Sequence, residues 1–313
     1  MTHAKFARTP LRARLQQLPA CRLGALSLLA VLASPTPAEL SPANAAGVSM
    51  GHLHYQVHDV AANAEFWIDL GGTSLAFSGG ARISFPGVDI ILTPGDYTGG
   101  TEGSVVNHIA LRVESLEQIA AQGYELHLNE EYPGIASVFS PEGERVELFD
   151  DGVATNIGFE LAAGQSDPVA QRHNEPLTVP VVSHHLHFYL EEDEVIAARD
   201  WYVKHFGATP GKRWRYDAAD LPGMNLNFSA NEEIQAPTPG RQLDHIGLEV
   251  ENLETFCREL EDAGLEFDAP FRRLTSGFAV AALTDPWGTR IELTEGLSKL
   301  DSASQLLSFS TSQ

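Results

Sequence analysis

The sequence predicts an α+β fold assembled from four copies of one strand–helix–strand unit. Three observations carry this. Four apolar or alternating runs each open on a histidine: "GHLHYQVHDV" with His52, "NHIALRVESL" with His108, "HHLHFYLEED" with His185 and "DHIGLEVENL" with His245. Alternation of period two argues strands. Each run leads into helical spacing that stops at a glycine: Gly71, Gly123, Gly207 and Gly264, as helix C-termini favour. The copies are regularly spaced. His52 to His108 is 56 residues and His185 to His245 is 60, while His52 to His185 is 133 and His108 to His245 is 137. Such internal periodicity is the signature of duplication.

Residues 1–45 stand apart. Lys5, Arg8, Arg12, Arg14 and Arg22 form a basic start, Leu23 to Ala33 an apolar core, and "ANA" at Ala43 to Ala45 a small-residue cleavage site. The core is short for a bilayer span. This pattern predicts a secretory signal peptide and a periplasmic or secreted protein, with an uncleaved anchor as the alternative. In the first module, Val60, Phe66, Trp67 and Leu70 mark a helix. In the fourth, Leu253, Phe256, Cys257 and Leu260 do so, spaced three and four apart. Shorter strand-like runs complete each copy. The second closes on "SPEGERVELFDDG" and the fourth on "TDPWGTRIELTEG", where Pro and Gly make a turn before a strand carrying one glutamate. The expected layout is therefore a first domain at 46–155 (modules one and two) and a second at 183–297 (modules three and four). A polar, proline-bearing linker at 156–182 joins them, and 298–313 form a tail.

The net charge is −22, from 42 acidic and 20 basic residues. Loss of five basic residues and one acidic residue with the signal peptide takes it to −26. Such a surface repels nucleic acid and anionic membranes, so the expected partner is a small molecule, with no stable membrane association after cleavage. Cys257 would then be the one remaining cysteine. That excludes an internal disulfide and suits a buried apolar role.

Modules opening on "DHIGLEV" and closing on "DPWGTRIEL" resemble the β-α-β-β-β units of the vicinal oxygen chelate superfamily. That superfamily includes glyoxalase I, methylmalonyl-CoA epimerase, bleomycin-resistance proteins and extradiol dioxygenases. The resemblance implies that two modules pair into a cupped, incomplete barrel holding a divalent metal. Its ligands come from the opening histidine of a module and the glutamate of its last strand. Carried onto this chain, the second domain would use His185, His245 and Glu292, and the first His52, His108 and Glu147.

Two imidazoles and one carboxylate suit Fe(II), the favoured ion, and also Mn(II), Zn(II) or Ni(II). Glyoxalases add a fourth ligand at positions occupied here by Ile91 and Asn227. Isoleucine cannot ligate and asparagine is a poor ligand for a transition metal, so the resemblance leans to a three-ligand, extradiol-type dioxygenase acting on a vicinal-oxygen substrate. The alternatives are a glyoxalase-like lyase or isomerase, and a metal-free ligand-binding protein of the bleomycin-resistance kind. The histidine and tyrosine that dioxygenases carry before "DPxG" are absent from "TSGFAVAALTDPWGTRIE".

His54 and His187 stand two residues after the opening histidines of modules one and three. On strands they share the inward face, so they are the candidate catalytic acids or bases. His184 is expected to point the other way, to solvent or a module interface. "GKRWRYDAADLPG" (Gly211 to Gly223), with Arg213, Trp214, Arg215 and Tyr216, is either a binding segment over the cup for an anionic or aromatic substrate or a surface hairpin.

Overall fold

Four repeated units make up the described residues of the computed structural model, 39–297. Module one runs β1 (Val48–Val57), α1 (Val60–Asp69), β2 (Thr73–Leu75), β3 (Ala81–Phe85) and β4 (Val88–Pro94). Module two runs β5 (Val106–Val113), α2 (Leu116–Ala121), β6 (His127–Leu128), β7 (Ile135–Phe139) and β8 (Arg145–Asp150). After α3 (Asp151–Asn156) and β9 (Phe159–Leu161), module three runs β10 (Val181–Leu190), α4 (Val195–Phe206), β11 (Thr209–Arg213), β12 (Tyr216–Leu221) and β13 (Met224–Ala230). Module four runs β14 (Leu243–Val250), α5 (Leu253–Asp262), β15 (Ala269–Arg273), β16 (Ala279–Thr284) and β17 (Arg290–Glu295). The α+β class is as the repeats imply. Leu253, Phe256, Cys257 and Leu260 are the buried face of α5. Gly71, Gly123, Gly207 and Gly264 all have positive φ, the left-handed turn that ends each module's helix.

The modules do not pair in chain order. The eight-stranded sheet has the order β15-β16-β17-β14-β1-β4-β3-β2, and the nine-stranded sheet the order β6-β7-β8-β5-β10-β13-β12-β11-β9. Module one therefore pairs with module four through antiparallel β1 and β14, and module two with module three through β5 and β10. This corrects the expected pairing of modules one with two and three with four. The stretch 156–182 is also more than a linker: β9 pairs with β11 inside the second sheet, and Ala170–Asn174 form a 3-10 turn. One hydrophobic cluster spans both sheets, with Leu53, Ile83 and Leu248 from the first and Leu186, Phe228 and Leu111 from the second. Tyr202 on α4 adds a buried bond across modules, its hydroxyl donating to Asp285 at 2.9 Å.

The expected signal peptide lies mostly outside the described residues, and the tail at 298–313 lies wholly outside them. The "ANA" stretch is described: the Asn44 amide donates to the carbonyls of Phe206 and Gly207 at 2.9 and 3.0 Å, at the end of α4. No helix among the described residues is long and apolar enough to cross a membrane.

Candidate metal centres

The central strand pair of each sheet carries a histidine cluster. On β1, His52 and His54 face inward, and His54 lies opposite His245 of β14. On β10, His185 and His187 do the same, and His187 lies opposite His108 of β5. Parallel strands β17 and β8 then bring Glu292 and Glu147 alongside. The first centre is thus His52, His245 and Glu292 with His54. The second is His108, His185 and Glu147 with His187. Each contains the two histidines and one carboxylate expected, but the expected set His185, His245 and Glu292 is divided between the two sheets, and so is His52, His108 and Glu147. Module pairing is the cause.

Both strand pairs skip one residue at two places. The ladder passes over Gly51 and Asp244 in the first sheet and over His184 and Asn107 in the second. Such bulges re-aim side chains beside functional sites. They explain why the neighbours Asp244 and His245 both reach the first centre. Of the two surroundings expected for His184, solvent and a module interface, it has the second. It is buried and stacked at 4.3 Å on Phe149 of module two, with its Nδ1 2.8 Å from Nδ1 of His185.

The donor atoms fit a divalent ion. Glu292 lies 3.4 Å from His52 Nε2 and 4.0 Å from His245 Nε2. Glu147 lies 3.4 Å from His108 Nε2 and 3.7 Å from His185 Nε2. Ligands about 2.1 Å from one tetrahedral ion stand about 3.4 Å apart. All four Nε2 atoms are buried without a hydrogen-bond partner, a costly state that an ion relieves. In each group the three imidazoles offer nitrogens within 4.8 Å of one another.

The surroundings set the tautomers. His245 Nδ1–H donates to Asp244 Oδ1 at 2.7 Å, and His108 Nδ1 meets Asn107 Oδ1 at 2.8 Å. A carboxylate or amide oxygen can only accept, so both Nε2 atoms keep their lone pairs for a ligand. Burial pushes His52, His185 and His187 below their ordinary value, and His54 down to about 3. These rings are neutral, the form that ligates. For Glu292 burial acts upward, but His52 beside it and the charges of His245 and His54 outweigh it and hold the carboxyl at about 2. Burial likewise opposes ionisation of Glu147, and His108 and Arg145 overcome it.

The two centres differ at two places. The position beside His54 on β4 is Ile91, whereas that beside His187 on β13 is Asn227. Ile91 is packed in apolar surroundings, while Asn227 has a buried, unpartnered Oδ1. The bulge residue is Gly51 in one and His184 in the other. The second centre also opens on a cavity of about 190 Å³, lined by His108, Glu147, His185, His187 and Asn227 among others.

Several partners were not read from the sequence. Thr93 Oγ1 meets His54 Nε2 at 2.8 Å, and Ser229 Oγ meets His187 Nε2 at 2.5 Å. Asp244 and Asn107 had a visible signal, a hydrogen-bonding residue just before the opening histidine in "DHIGLEV" and "NHIALRV". Gly247 had none: a Cβ there would lie 2.1 Å from the His52 ring. Gly247→Ala is therefore expected to displace His52 and weaken metal binding at the first centre by about 10- to 100-fold, leaving the second unchanged. Titration with Zn(II) under competition by a chelator checks this.

Comparison with known proteins agrees with this architecture. Residues 184–293 match the family described as the Glyoxalase/Bleomycin resistance protein/Dioxygenase superfamily. No curated protein sequence matches the chain. Among solved structures, glyoxalase I from Zea mays superposes with a TM-score of 0.54 at 15% identity, covering 79% of this chain and 92% of its own. A Bacillus subtilis protein provisionally named a dioxygenase superposes with a TM-score of 0.55 at 13% identity, covering 82% and 86%. Residues 184–293 thus match the Glyoxalase/Bleomycin resistance protein/Dioxygenase superfamily, and the four modules in two histidine-bearing sheets share the fold of glyoxalase I.

Proposed function

We propose that the chain is a metal-dependent enzyme whose reaction takes place at the second centre, on a small substrate bearing vicinal oxygens. The observation that carries this is the pair of buried, unpartnered Nε2 atoms of His108 and His185 beside Glu147, at the floor of a cavity. A divalent ion held by His108, His185 and Glu147 would supply Lewis acidity and, as Fe(II), redox chemistry toward dioxygen. His187 is neutral because burial lowers its pKa, and its place opposite His108 makes it the candidate acceptor of a substrate proton. Ser229 holds its Nε2, and the rings of Tyr189 and Tyr216 stand 4.9 and 4.6 Å away. These three residues would supply, from β10 and β12, the imidazole and phenols that the segment before "DPWG" lacks. This supports an extradiol-type dioxygenase. The unpartnered Asn227 oxygen at the fourth-ligand position favours a second reading, a glyoxalase-like isomerase. The basic and apolar N-terminal segment supports export.

Oxygen uptake by protein loaded anaerobically with Fe(II), with a panel of catechols, tests the first reading beside a hemithioacetal isomerisation assay. Uptake that falls at least about 100-fold in His187→Ala is the expected result. Isomerisation under Zn(II) or Ni(II) without oxygen uptake would select the second reading. Silence in both, with ligand binding by metal-free protein, would point to a binding protein.

A further inference from the structure

Arg213 ends β11 and is 2% exposed, yet its guanidinium is only partly bonded. Nη1 donates to the carbonyl of His184 at 2.9 Å. Nε and Nη2 are buried without a hydrogen-bond partner. The nearby carboxylate that attracts it, Asp220, is engaged elsewhere: Arg172 Nη1 donates to it at 2.7 Å and His173 lies 2.6 Å from it. Burial lowers Arg213 to about 9, so it remains a cation at neutral pH.

The free atoms share one edge. Nε–H and Nη2–H project in parallel from the side of the guanidinium plane, the fork that grips a planar carboxylate through two bonds. Arg213 and His184 both line the cavity of the second centre. His184 adds a donor. If His185 ligates through Nε2, its Nδ1 carries the proton and donates to His184 Nδ1. His184 then carries its own proton on Nε2, which has no partner. Leaving such donors unmatched in a low-dielectric wall is costly, and a bound oxoanion removes the cost.

We propose that the second cavity takes a carboxylate-bearing substrate, its carboxylate held by the Nε/Nη2 edge of Arg213 and by His184. This inference rests on the second centre being the reaction site and names the class of its substrate. Arg213 sets specificity and is not part of the metal set. One backbone hydrogen bond ties it to His184, and one ring contact ties His184 to the ligand His185.

Isothermal titration of the full chain with catechol, 2,3-dihydroxybenzoate, 3,4-dihydroxybenzoate and inorganic phosphate tests this, with the protein both Zn(II)-loaded and chelator-stripped. A carboxylated catechol is expected to bind at least about tenfold more tightly than catechol. Arg213→Met should erase that preference while leaving catechol affinity and metal content unchanged. Arg213→Lys should keep part of it. A cooperative thermal melt of Arg213→Met, which loses the bond to the His184 carbonyl, shows that the lost preference is not a loss of folding. Equal binding of catechol and its acids, a preference intact in Arg213→Met, or phosphate preferred over every carboxylate would overturn the proposal. Carboxylate selectivity that depends on Arg213 in both metal-loaded and stripped protein, with no metal-dependent activity, would sink the enzyme reading and leave this one standing.

Discussion

Glu147→Gln will empty the second centre of metal and leave the first filled, so the bound metal falls from two equivalents per chain to one. Among the described residues the glutamate is the anionic donor within reach of His108 and His185, and replacing it by an amide removes the charge that offsets the ion. The loss in affinity should exceed the ~100-fold upper range seen when supporting residues around a metal are changed. Glu292→Gln should do the same to the first centre. Double variants then test module pairing. His185→Ala combined with Glu147→Gln should lose no more metal than either alone, because both act on one ion. His185→Ala combined with His245→Ala should lose both equivalents. Elemental analysis of protein purified without a histidine tag reads the outcome. If His185→Ala and His245→Ala instead removed the same single equivalent, the pairing of module two with three would be wrong as a description of the metal sites.

Glu144→Gln will stabilise the protein at pH 8 and flatten its dependence on pH. Glu144 is 2% exposed. Burial, chiefly, lifts its carboxyl to about 8, with the Glu102 charge adding and the Thr101 backbone and Arg241 opposing. Buried Tyr55 also feels this carboxylate. The folded state thus holds the proton more tightly than the unfolded chain, whose value is near 4.5. Stability is fully present below about pH 4.5 and is lost as pH rises through about 8. A shift of this size corresponds to a loss on the order of 5 kcal/mol. Glutamine keeps an oxygen for the Thr101 amide, which donates to the Glu144 carboxyl at 3.2 Å, but cannot ionise. Urea unfolding at pH 5 and pH 8 should show a steep fall in the wild type and a shallower one in the variant. Equal slopes in the two proteins would show that Glu144 is ionised in the fold at little cost.

Each module's own pattern was legible in the sequence because it is local. A histidine opening an alternating run, a helix stopped by a glycine, and a glutamate after a Pro–Gly turn depend on residues within one copy. Strand geometry then fixes that His52 shares a face with His54, and His185 with His187. The residue types of the candidate metal centres were legible for the same reason. Tertiary structure alone decided which copies meet. All four opening strands have the same period-two pattern, so periodicity cannot tell β14 from β5 as the partner of β1. The choice rests on cross-strand packing and on the one core that both sheets share. Pairing therefore divided His185 from His245 and joined each to a candidate ligand from the other half of the chain. The bulges were equally hidden, since a skipped residue appears only when two strands are in register. They turned His184 inward and brought Asp244 and Asn107 beside the ligands. Arg213 shows the same limit: "KRWRY" reads equally as a substrate-binding segment or a charged hairpin, and only the fold buries its first arginine against the cavity while leaving Arg215 exposed beside it.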